Sequence, residues 1–200
     1  INRAIRNDRF QTEDPCIQPG DTVIIGGNNY LLGIMNGEFA VVTTAEPVTI
    51  SREIRYLGKG GQHQSVRLTW RYVELAFPDE QGQQKNISGY MLENYLYGDT
   101  KLKPEEQQAL YIDFKNRHPE LRPRTEEFKE AIMRDAFFHC ILLKYGYAVT
   151  CHKAQGGEWG AAFVFWDRGV KDGFDFYTAS HDRRGKTNAE FYRWAYTAVT

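Results

Sequence analysis

Apolar residues in INRAIRNDRF recur at helical spacing, with Ile1 and Ile5 on one face and Arg6 and Arg9 among the polar positions, and this predicts a short opening helix. Pro15 and then Pro19-Gly20-Asp21 break the chain. From Thr22 to about Tyr90 the texture becomes short β-rich runs punctuated by glycine. Alternation is clearest in Ser65 to Phe77, which predicts Val66, Leu68, Trp70, Tyr72 and Leu75 toward a core and Arg67, Thr69 and Arg71 toward water. Asn36-Gly37 is a hairpin signal, because both residues accept positive φ at low cost. Four or five short strands of this kind predict a small barrel of the SH3 or OB sort.

Helical texture returns at Lys103-Pro104-Glu105-Glu106, where Pro104 suits a first turn and the two acids suit the helix dipole. Leu110, Tyr111 and Phe114 line one face of that helix, and His118-Pro119 ends it. A second helix is expected to start at the capping Thr125 and to run through Phe128, Ile132, Ala136 and Cys140 until Gly146. Strands are then expected at Tyr147 to Thr150 and Ala161 to Trp166. A last helix follows, capped by Asn188, with Phe191, Trp194, Ala195 and Ala198 on one face. Strand and helix alternate at the ends around a barrel-like block and a helical pair, so the expected fold class is an α/β layer interrupted by an insertion.

The chain of 200 residues has room for one ordinary domain, or for one domain carrying a smaller insertion. An apolar fraction of 42% with 26% charged residues excludes disorder and fibrous repeats. Net charge is only -1, so any affinity for a polyanion has to come from local placement of Lys and Arg. Cys16, Cys140 and Cys151 form neither an even set nor a CxxC pair, which points to a reducing, cytoplasmic setting. No apolar run is long enough to span a membrane, so no membrane partner is expected.

The richest chemistry lies in Tyr145 to Trp159, YGYAVTCHKAQGGEW. Thr150 and His152 can donate to phosphate oxygens, Lys153 adds a point charge, Gly156 and Gly157 let backbone amides approach a ligand, and Glu158 can accept from a hydroxyl such as that of a ribose. This mixture fits two anionic ligands better than one.

AVTCHKAQGGEW resembles motif V of superfamily 1 helicases at nearly every position from Ala148 to Trp159, most closely in the RecD-like and Dda-like branch. INRAIR resembles that family's L-N-x-x-I-R element at Asn2, Ile5 and Arg6. The stretch from Pro19 to Val42 resembles the opening of the branch's inserted barrel at Gly20, Asp21, Asn29, Asn36 and Gly37. YRWAYTAVT resembles the start of motif VI at Tyr196, Ala198 and Thr200.

The resemblance implies a RecA-like, P-loop NTPase-type second motor domain, interrupted by an SH3-like β-barrel and a helical segment. Residues 1–18 would start the motor domain, 19–90 form the barrel, 91–120 the helical part of the insertion, and 121–200 the rest of the motor domain. It also implies ATP-driven translocation on single-stranded DNA and duplex unwinding, with 5′ to 3′ movement as in that branch. Gln155, Gly156, Gly157, Glu158 and Arg6 would face nucleotide; Thr150, His152, Lys153 and Asn2 would face DNA. RNA is a weaker alternative partner, since backbone contacts alone do not sense a 2′-OH.

ATP and Mg2+ would be bound mainly by a preceding RecA-like domain of the same protein, because this chain has no Walker A motif. Gly185-Lys186-Thr187 fails as one, with Ser180 where a glycine is required. Phe163-Val164-Phe165-Trp166-Asp167 mimics a Walker B strand but stands where the family has an ordinary core strand. The family's arginine finger is expected just after Thr200, so the piece alone is expected to have no catalytic residue and no ATP turnover. A docking module for nucleic acid or protein, without motor activity, is the alternative.

Plainer uses compete with each of these roles. Asn2 and Arg6 could serve only to cap and solvate the first helix. Trp70 and Tyr72 could stack on bases, though core packing is the commoner use. Arg183, Arg184 and Lys186 could touch phosphate or only water. His152 beside Cys151 and His139 beside Cys140 lack the loop spacing of a zinc site, so no metal is expected.

Overall fold

Stretches rich in β-branched and aromatic residues form two long strands, β2 (Phe39–Leu57) and β3 (His63–Pro78), paired antiparallel. The computed structural model describes residues 1–58, 61–78, 84–98, 101–154, 161–164 and 196. They fall in two units, Ile1–Ala148 and Val149–Thr200.

In the first unit, α1 (Asn2–Phe10) and β1 (Thr22–Ile25) precede the long strands. After them come β4 (Gln84–Leu92), α2 (Glu93–Tyr97), α3 (Pro104–Arg117), α4 (Glu126–Arg134) and β5 (Leu143–Tyr145). The five strands make one antiparallel sheet in the order β4-β3-β2-β1-β5. The chain just before β5 meets β4, where Met91 bridges Ile141 in parallel, with Ile141 N donating to Tyr90 O at 2.7 Å and Leu92 N to Ile141 O at 3.1 Å. Pairing there satisfies backbone groups that an open sheet would leave unpaired.

β3 serves two cores, one on each face. Successive strand side chains point to opposite faces, and Leu68 and Trp70 belong to one buried cluster while Val73, Leu75 and Phe77 belong to another. β3 pairs with β4 without interruption, whereas β2 has irregularities between Val42 and Thr44 and between Ala45 and Thr49. Those extra residues switch the face that β2 buries: Ala40 and Val42 join the cluster of Val73, and Ile54 and Tyr56 join that of Trp70. Pro47 sits inside the second irregularity, where a missing N–H is tolerated.

Arg71, expected to face water, is instead buried where the two faces exchange roles. Its Nε donates to Glu93 Oε1 at 2.7 Å and its Nη1 to Glu46 O at 2.5 Å. Trp70 is fully buried, with Nε1 donating to Phe137 O at 3.1 Å and its ring edge-on to Phe137 at 5.4 Å. It is a core residue, not an exposed base platform.

Asn36-Gly37 does form a turn, with Gly37 at φ +97. The turn lies within the longer connection from Ile25 to Phe39, not at the tip of a tight hairpin. Thr125 caps α4 by accepting from Phe128 N at 3.2 Å. That helix stops at Arg134 rather than continuing to Gly146, because Asp135 adopts an extended backbone and its Oδ1 accepts from Phe137 N at 3.1 Å and Phe138 N at 2.7 Å. The next strand is Leu143–Tyr145, its register set against β1 by Val23↔Tyr145, Ile24↔Lys144 and Ile25↔Leu143. Tyr147 to Thr150, expected as a strand, lies beyond that pairing and is irregular. The boundaries expected at residues 18, 90 and 120 all fall inside the first unit, since β5 returns to the same sheet.

In the second unit, α5 (Cys151–Ala154) is a single turn and Ala161–Val164 has no regular structure. Phe165, Trp166, the cluster of Arg183, Arg184 and Lys186, and the helix expected from Asn188 lie outside the described residues, apart from the helical Tyr196. Among the described residues no helix is long and apolar enough to cross a membrane.

Candidate nucleic-acid and nucleotide site

Asn2 is the first residue of α1, and its amide does not cap that helix, whose N-cap Ile1 has no side-chain bond. The amide reaches across the unit instead. Asn2 Nδ2 donates to Ala148 O at 2.7 Å, and Asn2 Oδ1 accepts from Ala148 N at 2.7 Å. INRAIR and AVTCHKAQGGEW, two of the segments that carry the sequence resemblance, thus touch at their matching Asn2 and Ala148.

One turn along α1, Arg6 is 1% exposed while Ile1 and Ile5 are exposed, the reverse of the expected amphipathic pattern. Its Nε donates to Asp21 Oδ1 at 2.7 Å, its Nη1 to Asp14 O at 2.5 Å, and its Nη2 to Cys16 O. Tyr145 and Phe10 flank the guanidinium, with ring centroids 5.1 and 5.5 Å away. Burial works against its charge, but the bond to Asp21 outweighs it and holds the guanidinium above its ordinary pKa.

Asp21 is 0% exposed and accepts three bonds. Oδ1 takes Arg6 Nε at 2.7 Å and the Tyr147 hydroxyl at 2.7 Å, and Oδ2 takes Gln18 N at 2.8 Å. The Tyr147 oxygen in turn accepts from Thr22 N at 3.1 Å, and burial beside Asp21 pushes the phenol up to about 12. Paired charge and saturated hydrogen bonding are what make a carboxylate tolerable at this depth.

Thr150, expected at DNA, is exposed, and its carbonyl starts α5 by accepting from Lys153 N at 2.8 Å and Ala154 N at 3.1 Å. Lys153 is exposed. For His152 the backbone lies in α5. Gln155, Gly156, Gly157 and Glu158, expected at nucleotide, lie outside the described residues. Among the described residues no three His, Cys, Asp or Glu side chains gather to hold a metal ion.

Sequence reasoning gave Asn2 and Arg6 ligand or solvent roles; the structure engages both with protein groups. It also brings Asp21 and Tyr147 into the same cluster, which no local pattern announces. A buried carboxylate partner for an arginine fifteen residues away is set by topology, and the only advance sign was the matched aspartate of Pro19-Gly20-Asp21. No family model, curated protein or solved structure matches the chain.

Proposed function

We propose that the chain is part of the second motor domain of an ATP-dependent superfamily 1 DNA helicase of the RecD-like and Dda-like branch, with an SH3-like barrel inserted in it. The observation that carries this reading is the pair of hydrogen bonds between Asn2 and Ala148. Two segments 146 positions apart each resemble an element of one motor domain, and a sequence match by coincidence would not require them to meet.

In this reading Thr150 and His152 hold the sugar–phosphate backbone of single-stranded DNA, Lys153 neutralises a phosphate, and Gln155, Gly156, Gly157 and Glu158 sense nucleotide. Asn2 and Arg6 have their polar atoms engaged with protein groups of the first unit. A second RecA-like domain supplies the phosphate cradle and the Mg2+ site. Nucleotide-dependent closure of two such domains, each holding the strand, is what converts hydrolysis into movement. Thr150 through Glu158 is short enough to feel both ligands, so its composition is that of a coupling element.

The test is anisotropy of a labelled oligothymidylate titrated with the chain at two salt concentrations. Weak binding that declines steeply with salt is expected, with Lys153→Ala reducing the log–log salt slope by about 1. No binding at low salt would remove the DNA reading. DNA-stimulated ATP hydrolysis in a protein joining this chain to a Walker-containing domain tests the motor itself. Strand binding without such stimulation would favour the docking-module reading, for which the first unit's own sheet and buried clusters speak.

A further inference from the structure

Tyr147 and Ala148 are the last two residues of the first unit, and both are tied down by side chains from its far end. Tyr147 donates to Asp21 Oδ1 at 2.7 Å and accepts from Thr22 N at 3.1 Å; Ala148 exchanges two bonds of 2.7 Å with Asn2. Gly146 N adds a bond of 2.8 Å to Thr22 O. Three consecutive residues are therefore clamped, each to α1 or to the start of β1. Beyond Ala148 the chain has one residue, Val149, before Thr150. Consecutive Cα atoms are about 3.8 Å apart, so Thr150 stays within about 7.6 Å of the clamped Ala148 Cα.

A fold does not need this arrangement to stay closed. β5 is already held by its pairing with β1 and by the Ile141 bridge. Arg6 and Gln18 alone satisfy both oxygens of Asp21, so the Tyr147 hydroxyl is an addition to a carboxylate already paired. Asn2, at the first position of α1, commits both ends of its amide to the backbone of Ala148. Each of these bonds acts on the exit of the chain toward Thr150.

We propose that Asn2, Asp21 and Tyr147 are positioning residues that fix the covalent root of the Thr150–Ala154 turn and thereby set its grip on a polynucleotide. The last clause rests on the helicase reading; the first does not. The clamp removes freedom from the root of the turn before a ligand arrives, so binding has less disorder to overcome. Loosening it raises the cost of ordering Thr150 and Lys153 without altering either side chain.

The experiment uses the whole chain, residue-resolved amide exchange by NMR, and the variants Tyr147→Phe and Asn2→Ala. Each variant is expected to speed exchange at Lys153 and Ala154, whose amides bond Thr150 O, about fivefold, the worth of roughly one net hydrogen bond. The amides of Gly26, Leu92 and Ile141, which bond across the sheet, are expected to stay within about twofold. Labelled oligothymidylate is expected to bind each variant about three- to fivefold more weakly than the parent. Unchanged exchange at Lys153 and Ala154 would overturn the proposal. So would acceleration spread equally over Gly26, Leu92 and Ile141, which would make the clamp a general stabiliser. Local acceleration in the variants, with a parent chain that ignores oligothymidylate, would support the clamp and defeat the DNA reading.

Discussion

Arg117 grips Asp135 with two parallel bonds, Nη1 to Oδ2 at 2.6 Å and Nη2 to Oδ1 at 2.7 Å, while its Nε reaches Asp113 Oδ2 at 2.9 Å. Asp113 also takes Arg52 Nη1 at 2.9 Å, and the Arg52 and Arg117 guanidiniums lie 4.2 and 5.0 Å from the Phe137 ring centroid. The network ties β2 to α3 and to the residues that follow α4. Arg117→Ala is expected to cost about 2–3 kcal/mol in urea unfolding, below the range for a fully buried pair because Arg117 keeps some access to water. A cost under about 0.5 kcal/mol would show the network to be ornamental.

Acid should weaken the same network. Burial pushes the Asp135 carboxyl up, but the Arg117 bonds outweigh that and hold it below its usual value. A depressed folded-state pKa means the stabilisation is complete above the unfolded value of about 4 and is lost as pH falls through the folded value. Unfolding midpoints measured below about pH 4 should therefore fall more steeply in the parent than in Asp135→Asn, which has no such proton to take up.

Asp21→Ala would strand the Arg6 guanidinium, buried at 1% exposure, without its counterion. The expected loss is about 3–5 kcal/mol, read as a lower denaturation midpoint. Restoring balance with Asp21→Ala and Arg6→Leu together should recover part of it; additive losses would argue that the two do not form one unit.

Gly26 has no room for a side chain, because a methyl group there would overlap the Tyr95 hydroxyl, Cε1 and Cζ. Gly26→Ala is expected to destabilise by about 2 kcal/mol through overpacking, and Tyr95→Leu in the same chain should relieve most of that. Gly37→Ala, by contrast, meets no neighbour and is opposed only by its φ of +97, at about 1 kcal/mol.

The cysteines should separate by accessibility. Burial pushes the Cys140 thiol up to about 12, so it should resist a thiol reagent until the chain unfolds. Cys16 is exposed but raised by its hydrogen bond to Asp14, so it should react, and more slowly than a free thiol. Cys16→Ser should remove one native-state equivalent and leave that of the half-buried Cys151; no change in the native-state phase would refute the assignment.

Local rules were legible where a single residue decides the outcome. Pro104 with Glu105 and Glu106 opens α3, Thr125 caps α4, and Asn36-Gly37 turns. Legibility failed where a distant partner decides. Nothing in Phe128, Ile132, Ala136 and Cys140 announces that Arg117 and two backbone amides will capture Asp135 and end the helix early. The alternation of Ser65 to Phe77 was visible, but not that burial along β3 would move from even positions (Leu68, Trp70) to odd ones (Val73, Leu75, Phe77) beside the extra residues of β2. Of the candidate site, the sequence marked Thr150 to Glu158 by composition; the role of Asn2, and the presence of Asp21 and Tyr147 beside it, depend on contacts more than one hundred positions long.

Because Asn2 and Ala148 exchange hydrogen bonds, these two residues of the first unit lie side by side. A body with adjoining ends is readily spliced into a host chain, since the host has almost no gap to span and little closure entropy to lose. The same geometry makes residues 2 to 148 suited to circular permutation: a short linker across the join would leave the sheet's pairing untouched and move the ends elsewhere.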